Sequence, residues 1–153
     1  MNLLISPVEP DDLAAIGAIS DAANEAQVFP MQSEEGRATL LSDRENKLKR
    51  LLDPERSPSL KAVLEGRIVG YVTWRDGHFV TALYVSLAHQ GLGIGRRLMD
   101  AMIERAEEPV VRLRASVNAV EFYRRYGFQP EGGEQILHGI RFVPMAFRRP
   151  SPE

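Results

Sequence analysis

The sequence predicts an α/β fold, a mixed and mostly antiparallel sheet with helices on both faces. Three observations predict it. Residues 60–85 alternate side chains around two tight-turn dipeptides, the pattern of an antiparallel meander. On either side of the meander, apolar residues recur three or four positions apart, the spacing of amphipathic helices. A glycine-rich turn then leads from a strand into a helix and on to another strand, a right-handed βαβ unit whose two strands run parallel.

The elements follow in order. Asn2 to Ser6 is a short apolar run and a first strand. Asp11 follows Pro10 and opens a helix carrying Ile16, Ile19 and Ala23, with Asp11 and Asp12 at the positive end of its dipole. Pro30 breaks it. A second helix is expected from Ser33 to Leu52, capped near Ser33, with Leu41, Leu48 and Leu52 on one stripe and Pro54 as its stop. Leu60, Ala62 and Leu64 form the next strand, and Glu65-Gly66-Arg67 the turn after it. Ile68, Gly70, Val72 and Trp74 follow. Asp76-Gly77 suits a two-residue hairpin, in which both turn positions take positive φ. The strand from His78 to Val85 completes the meander. A helix over Gly93 to Glu107 places Ile94, Leu98, Met102 and Ala106 on one side, and Pro109 ends it. In Val110 to Val117, Val111, Leu113, Ala115 and Val117 face one way, Arg112 and Arg114 the other. Asn118 opens a short helix to Tyr126, and Gly127 closes it. Two last strands are expected near Glu134 to His138 and Arg141 to Arg148.

The 153 residues suit one domain over 1–150 with a loose tail at 151–153, and are enough to bury a core without disulfide or metal. The absence of cysteine removes disulfides, thiolate metal sites and cysteine nucleophiles. His78, His89 and His138 are not spaced as a ligand set, so no metal is expected. A net charge of -2 argues against a nucleic-acid partner. No apolar run is long enough for a bilayer, and the N-terminus lacks a basic signal segment, so the expected location is cytoplasmic. Residues 1–76 hold 9 basic and 13 acidic side chains, a balance of -4. Residues 77–153 hold 10 and 8, a balance of +2. An anionic ligand would prefer the second half and a cationic one the first.

The chemistry sits in Leu83-Tyr84-Val85-Ser86-Leu87-Ala88-His89-Gln90-Gly91-Leu92-Gly93-Ile94-Gly95-Arg96-Arg97. Here a strand enters a turn with three alternate glycines, and the turn opens a helix. The first N–H groups of a helix lack partners and carry the positive end of the dipole, so they bind phosphate oxygens. Arg96 and Arg97 add charge. No Lys-Ser/Thr pair follows the glycines, which disfavours an ATPase loop. The spacing is GxGxG rather than GxGxxG, and it follows a meander, which disfavours a dinucleotide fold. The competing reading is a tight β-to-α turn with no ligand.

Gln90-Gly91-Leu92-Gly93-Ile94-Gly95 resembles the Q/R-x-x-G-x-G/A acetyl-CoA motif of the GCN5-related N-acetyltransferase (GNAT) superfamily. Asn118 through Phe128 resembles its second signature, N-x-x-A/V-x-x-x-Y-x-x-x-G-F, in the right order and at the right separation. The resemblance implies a twisted sheet of about seven strands and acetyl-CoA as cofactor. It also implies acetyl transfer to an amine by direct attack in a ternary complex. The fourth strand would part from the fifth to admit the pantetheine arm. Backbone groups at Leu83 and Val85 would bond it like an added strand, and Tyr84 between them is also a cofactor-binding residue. N–H groups from Gln90, Gly91, Leu92, Gly93, Ile94, Gly95 and Arg96 would hold the pyrophosphate. Asn118 would bond the arm, the Val85 N–H would serve the oxyanion, and Tyr123 would be the general acid.

Each assignment has a plainer counterpart. Tyr123 also suits a core aromatic, Asn118 a plain N-cap, Trp74 core or substrate wall, and Tyr126 packing. The fourth strand has no glutamate where many members of the family carry a base. His78, Tyr84, Glu65, His138 or a water are the substitutes. His138 to Met145 resembles the last hairpin of small bacterial members, which walls the acceptor site. The acceptor is a small-molecule or protein amine, and Asp11, Asp12, Asp21, Glu25, Glu34 and Glu35 are placed to attract a cationic one. A homodimer is a family-level expectation. The rival function is a non-catalytic acyl-CoA-binding module on the same scaffold.

Overall fold

The computed structural model describes residues 1–150, so the tail at 151–153 lies outside the described residues. The strands are β1 (Leu3–Pro7), β2 (Ser59–Leu64), β3 (Arg67–Arg75), β4 (Phe79–Val85), β5 (Val110–Ser116), β6 (Gln129–Pro130), β7 (Gln135–Leu137) and β8 (Ile140–Arg148). The helices are α1 (Leu13–Ala23), α2 (Glu34–Arg50), α3 (Ile94–Arg105) and α4 (Val120–Tyr126). One eight-stranded sheet runs β1-β2-β3-β4-β5-β8-β6, with β7 on β8. The strand beyond the expected seven is β6, two residues long and too short to leave a periodic signal. Among the described residues only β4 and β5 pair in parallel, at Phe79–Arg112 and Val80–Leu113.

Three turns between neighbouring strands share one solution. Glu65-Gly66 (φ 51° and 78°), Asp76-Gly77 (55° and 72°) and His138-Gly139 (51° and 82°) each put two successive residues at positive φ. That backbone twist matches the right-handed twist of the flanking strands.

The larger core lies between the sheet and α3. Leu98, Met99 and Met102 are fully buried there against Val72, Val111 and Leu113. Each contributes about 1.5–3 kcal/mol on burial. The 12 residues of α3 place Ile94, Leu98 and Met102 inward, as their spacing predicts. Gly70 lets this helix sit close, since a Cβ there would come within 2.8 Å of the Tyr84 carbonyl and 3.1 Å of Leu98. On the opposite face, α1 buries Ile16 against Tyr71.

Two helices depart from the sequence reading. The acidic residues before α1 form a 3-10 turn, Pro10–Asp12, rather than its first turn. Beyond Ala23 the chain continues as a π-helical turn, Asn24–Val28, and a 3-10 turn, Phe29–Met31. Pro30 therefore falls in the last of these turns, not at a clean break. The cap of α2 is as expected: Ser33 accepts the Gly36 N–H at 3.1 Å. Its stripe holds only at Leu48, which packs against the cluster of Ile16, Leu51 and Tyr71. Leu41 and Leu52 are 60% and 50% exposed, and Leu51 is buried in place of Leu52. Polar docking supplies the rest of the attachment. The buried Gln32 side chain accepts the Arg141 N–H at 2.7 Å and donates to the Arg141 carbonyl at 3.1 Å, as a strand would. Thr39 donates to the His138 carbonyl at 2.7 Å. Gly36 and Gly139 meet so closely that a Cβ on Gly36 would lie 2.5 Å from the Gly139 oxygen.

Candidate functional site

β4 and β5 part after Val80 and Leu113, so Thr81 to Val85 have no strand partner on that side. Ser86 donates its N–H to Val69 across β3 at 2.8 Å. Extended backbone alternates its polar groups from side to side. The N–H and C=O of Val85 and Leu83 therefore point to the open side, while those of Tyr84 face β3. Tyr84 reaches the site through its side chain.

Below the parting lies a cavity of about 1100 Å³. Of the twelve residues singled out by sequence, eleven line it: Leu83, Tyr84, Val85, Gln90, Gly91, Gly93, Ile94, Gly95, Arg96, Asn118 and Tyr123. Leu92 does not; its side chain is half-exposed on the outer side of the turn.

Gly91 (φ 79°) and Gly93 (φ 83°) bend the backbone through the left-handed region into α3. Gly93 is the N-cap and no side chain caps the helix. The first helical bond runs from the Arg97 N–H to the Gly93 carbonyl at 3.1 Å. The N–H groups of Ile94, Gly95 and Arg96 precede it and have no acceptor among the described residues. Bare donors at the positive end of a 12-residue helix form an anion site. The guanidinium of Arg96 stands 5.2 Å above the Tyr126 ring, and Tyr126 donates to Asp100 at 2.6 Å. Tyr126 is therefore a packing residue that holds Arg96 in place. Arg97 turns away and donates to the Leu3 carbonyl at 3.3 Å.

Tyr123 is 8% exposed, edge-on to Phe122 (5.2 Å) and Phe128 (5.6 Å). Its phenol oxygen has no partner among the described residues, yet it is not sealed in, so it opens on the cavity. Burial, and next the neighbouring Tyr84 phenol, push its pKa well above the usual phenol range. The phenol thus keeps its proton at neutral pH. Asn118 is not the N-cap of α4; that place belongs to Ala119, which donates to the Ser116 carbonyl at 2.8 Å. The Asn118 amide is left without a partner among the described residues.

The base candidates separate. Glu65 and His78 lie on strand turns and do not line the cavity; His78 Nδ1 sits 2.9 Å from the Asp76 carbonyl. Tyr84 lines it but donates its phenol to Asn24 Oδ1 at 2.8 Å, and burial raises its pKa. It is a donor, not a base. His138 reaches the rim from the last hairpin turn. Trp74 is core, 4% exposed.

Residues that sequence reasoning missed come from the π-helical turn and from α2. Asn24 holds Tyr84, and Gln27 pairs with Gln90. A π turn has no periodic signature to betray it. The electrostatics also differ from expectation. None of Asp11, Asp12, Asp21, Glu25, Glu34 or Glu35 lines the cavity. Asp12 is bound to Lys61 at 2.6 Å and Asp21 to Arg44 at 2.8 Å. The one carboxylate in the lining is Asp43, against Lys47, Arg50, Arg75, Arg96 and Arg114.

A family model described as an acetyltransferase (GNAT) domain matches residues 26–149. No curated protein matches the sequence. Among solved structures, a GCN5-related N-acetyltransferase from Rhodopseudomonas palustris is 25% identical, with 97% of each chain covered and a TM-score of 0.83. The PaiA N-acetyltransferase of Thermoplasma acidophilum, solved in complex with coenzyme A, is 18% identical, with 97% of this chain and 100% of that one covered and a TM-score of 0.78. The yncA protein of Salmonella typhimurium, solved with its cofactor acetyl-CoA, is 24% identical, with 100% and 99% covered and a TM-score of 0.65.

Proposed function

The chain belongs to the acetyltransferase (GNAT) family and is an acetyl-CoA-dependent N-acetyltransferase; on that premise we propose how its cleft holds the cofactor and serves an amine. The observation that carries the reading is the parting of β4 from β5 after Val80 and Leu113. It leaves an unpaired strand edge that leads from the uncapped start of α3 to the phenol of Tyr123.

The donors present fit acetyl-CoA. The N–H groups of Ile94, Gly95 and Arg96, with the turn from Gln90 to Gly93, hold the pyrophosphate, and Arg96 adds a charge. Leu92 contributes backbone alone. Leu83 offers its N–H and C=O to the amides of the pantetheine arm, in the manner of β-augmentation, and Val85 its C=O, which also accepts the Gln90 amide at 3.2 Å. The Asn118 amide, which caps nothing, bonds the arm from the other side.

When bound, acetyl-CoA supplies an acetyl group activated as a thioester. The Val85 N–H, aimed into the opening, is the donor for the carbonyl oxygen as it gains charge. Tyr123 holds a proton on its phenol oxygen and gives it to the departing sulfur. The amine reaches the opening from the α2 side. It loses its proton to water in the open cavity or to His138, which reaches the rim with no side-chain partner among the described residues.

A thermal-shift titration with acetyl-CoA, desulfo-CoA and ATP tests the cofactor site, and turnover with a panel of amines tests the chemistry. Ligand at 100 times its dissociation constant stabilises the fold by about 2.7 kcal/mol. The CoA compounds should raise the melting temperature by several degrees and ATP should not. Tight acetyl-CoA binding without turnover, unchanged by Tyr123→Phe, would favour a non-catalytic acyl-CoA-binding module.

A further inference from the structure

We propose that the acceptor is an amine that also carries an oxyanion group, a carboxylate or a phosphonate, and that Arg114 binds that group. The inference rests on the acetyltransferase reading above and names the substrate class of the same site. Arg114 projects from β5 and lines the cavity. Its guanidinium stands 5.2 Å from the Phe142 ring and 6.0 Å from the Phe79 ring. No carboxylate lies within ion-pair distance of it among the described residues. This exposed fork lies against two aromatic rings, and its five donors have no partner among the described residues. A guanidinium so held is built to meet a planar oxyanion with two parallel hydrogen bonds.

Its surroundings favour the same charge. Arg75 also lies over Phe79, at 4.4 Å, but Asp76 neutralises it. Lys47 and Arg50 line the cavity from α2, and Asp43 is the single acid opposing them and Arg114. A polyamine or other polycation would enter against an excess of like charge. An amine with one oxyanion would enter with it. The neighbouring wall is apolar, with Leu40, Ile140, Phe79 and Phe142, and suits a hydrophobic side chain on that amine.

The test is steady-state kinetics at saturating acetyl-CoA with matched acceptors: L-leucine and L-phenylalanine, their carboxamides, a 1-aminoalkylphosphonate, and spermidine. The carboxamide amine is the less basic of each pair, so more of it is neutral at pH 7.5. A preference for the acid therefore cannot come from amine availability. The expected result is a kcat/KM at least 10-fold higher for the acids or the phosphonate than for carboxamides or spermidine. The better oxyanion in that panel identifies which of the two the site takes. Arg114→Gln should raise KM for the preferred acceptor by about 10- to 100-fold, with acetyl-CoA affinity by calorimetry unchanged, and Arg114→Lys should recover part of the loss. Equal or better use of carboxamides or spermidine, or an Arg114→Gln loss that is the same for charged and neutral acceptors, would overturn the assignment while leaving the acetyltransferase reading intact. Failure of acetyl-CoA to bind would overturn both.

Discussion

Gln27 and Gln90 hold each other in a closed pair of amide hydrogen bonds, 2.7 Å in one direction and 3.1 Å in the other. The Gln90 amide also donates to the Val85 carbonyl at 3.2 Å. One side chain thus joins the π-helical turn, the glycine turn and the last residue of β4. Its burden is positional. Gln90→Ala should weaken acetyl-CoA binding by about 10-fold, and Gln27→Ala by about 3-fold, as the loss of one or two net hydrogen bonds would imply. Calorimetry on the two variants checks this; unaltered affinity in both would show that the turn orders itself.

Tyr123→Phe separates packing from chemistry. The ring contacts with Phe122 and Phe128 survive the change, and the hydroxyl has no protein partner to lose. Stability should stay within about 0.5 kcal/mol of the parent. Turnover should fall by about 100-fold, the low end for loss of a general acid. The sign of the pH effect follows from the raised phenol pKa. The protonated phenol is the active form, and it persists beyond the usual phenol value of 10.0. The rate should therefore climb as the amine deprotonates, with no fall from Tyr123 below about pH 10. A pH–rate profile with an alkaline limb well below that, absent from Tyr123→Phe, would contradict the assignment.

At Gly93 the constraint is conformational and not spatial. A Cβ there would meet nothing within 4 Å, but φ is 83°. Gly93→Ala should cost about 1–2 kcal/mol, the usual penalty for an L-residue in that region. Gly93→Asn should cost less, because asparagine tolerates the conformation. Chemical denaturation of the two variants checks the order; equal losses would mean that the turn relaxes to another backbone path.

The parts of this fold legible in the sequence are those with a local cause. Asp76-Gly77 announces a hairpin because few other pairs accept φ values of 55° and 72°. Ser33 announces a helix start because its hydroxyl can take an N–H three residues on. Likewise the glycine turn stands out by spacing and the Asn118–Tyr123 stretch by its resemblance to a family signature, and the chain brings both to one cavity. What was not legible depends on distant partners. Leu41 and Leu52 look like a seam, but Gln32 docks α2 through the Arg141 backbone, 109 residues away, and polar docking has no period. Asn118 looks like a cap, and a rotation at Ala119 moves the cap by one residue. Asp12 and Asp21 look available, but their partners Lys61 and Arg44 are visible only in three dimensions, and so is the cationic lining of the cavity.

Lys61 and Asp12 offer the sharpest test of stability against pH. Their ion pair is 2.6 Å long, and each side chain is only 15% exposed. Asp12 also accepts the Glu9 N–H at 2.8 Å. Burial acts to raise the Asp12 pKa, but the hydrogen bonds from Lys61 and Glu9, with the Lys61 charge, outweigh it and leave the carboxyl below its usual 3.8. The folded state therefore binds this proton less readily than the unfolded chain does. Its contribution is complete above about pH 4 and is lost as pH falls through the lowered folded value. Asp12→Asn should cost about 1–2 kcal/mol at neutral pH, in the range of a charge-assisted hydrogen bond. It should also flatten the acid dependence of the urea midpoint below about pH 4. Lys61→Met should act in the opposite sense on that dependence. With its cation gone, the largely enclosed carboxyl favours its protonated form, so the loss of stability at neutral pH should partly reverse as the solution is acidified. If both variants keep the parent's acid profile, the carboxyl that governs it lies elsewhere.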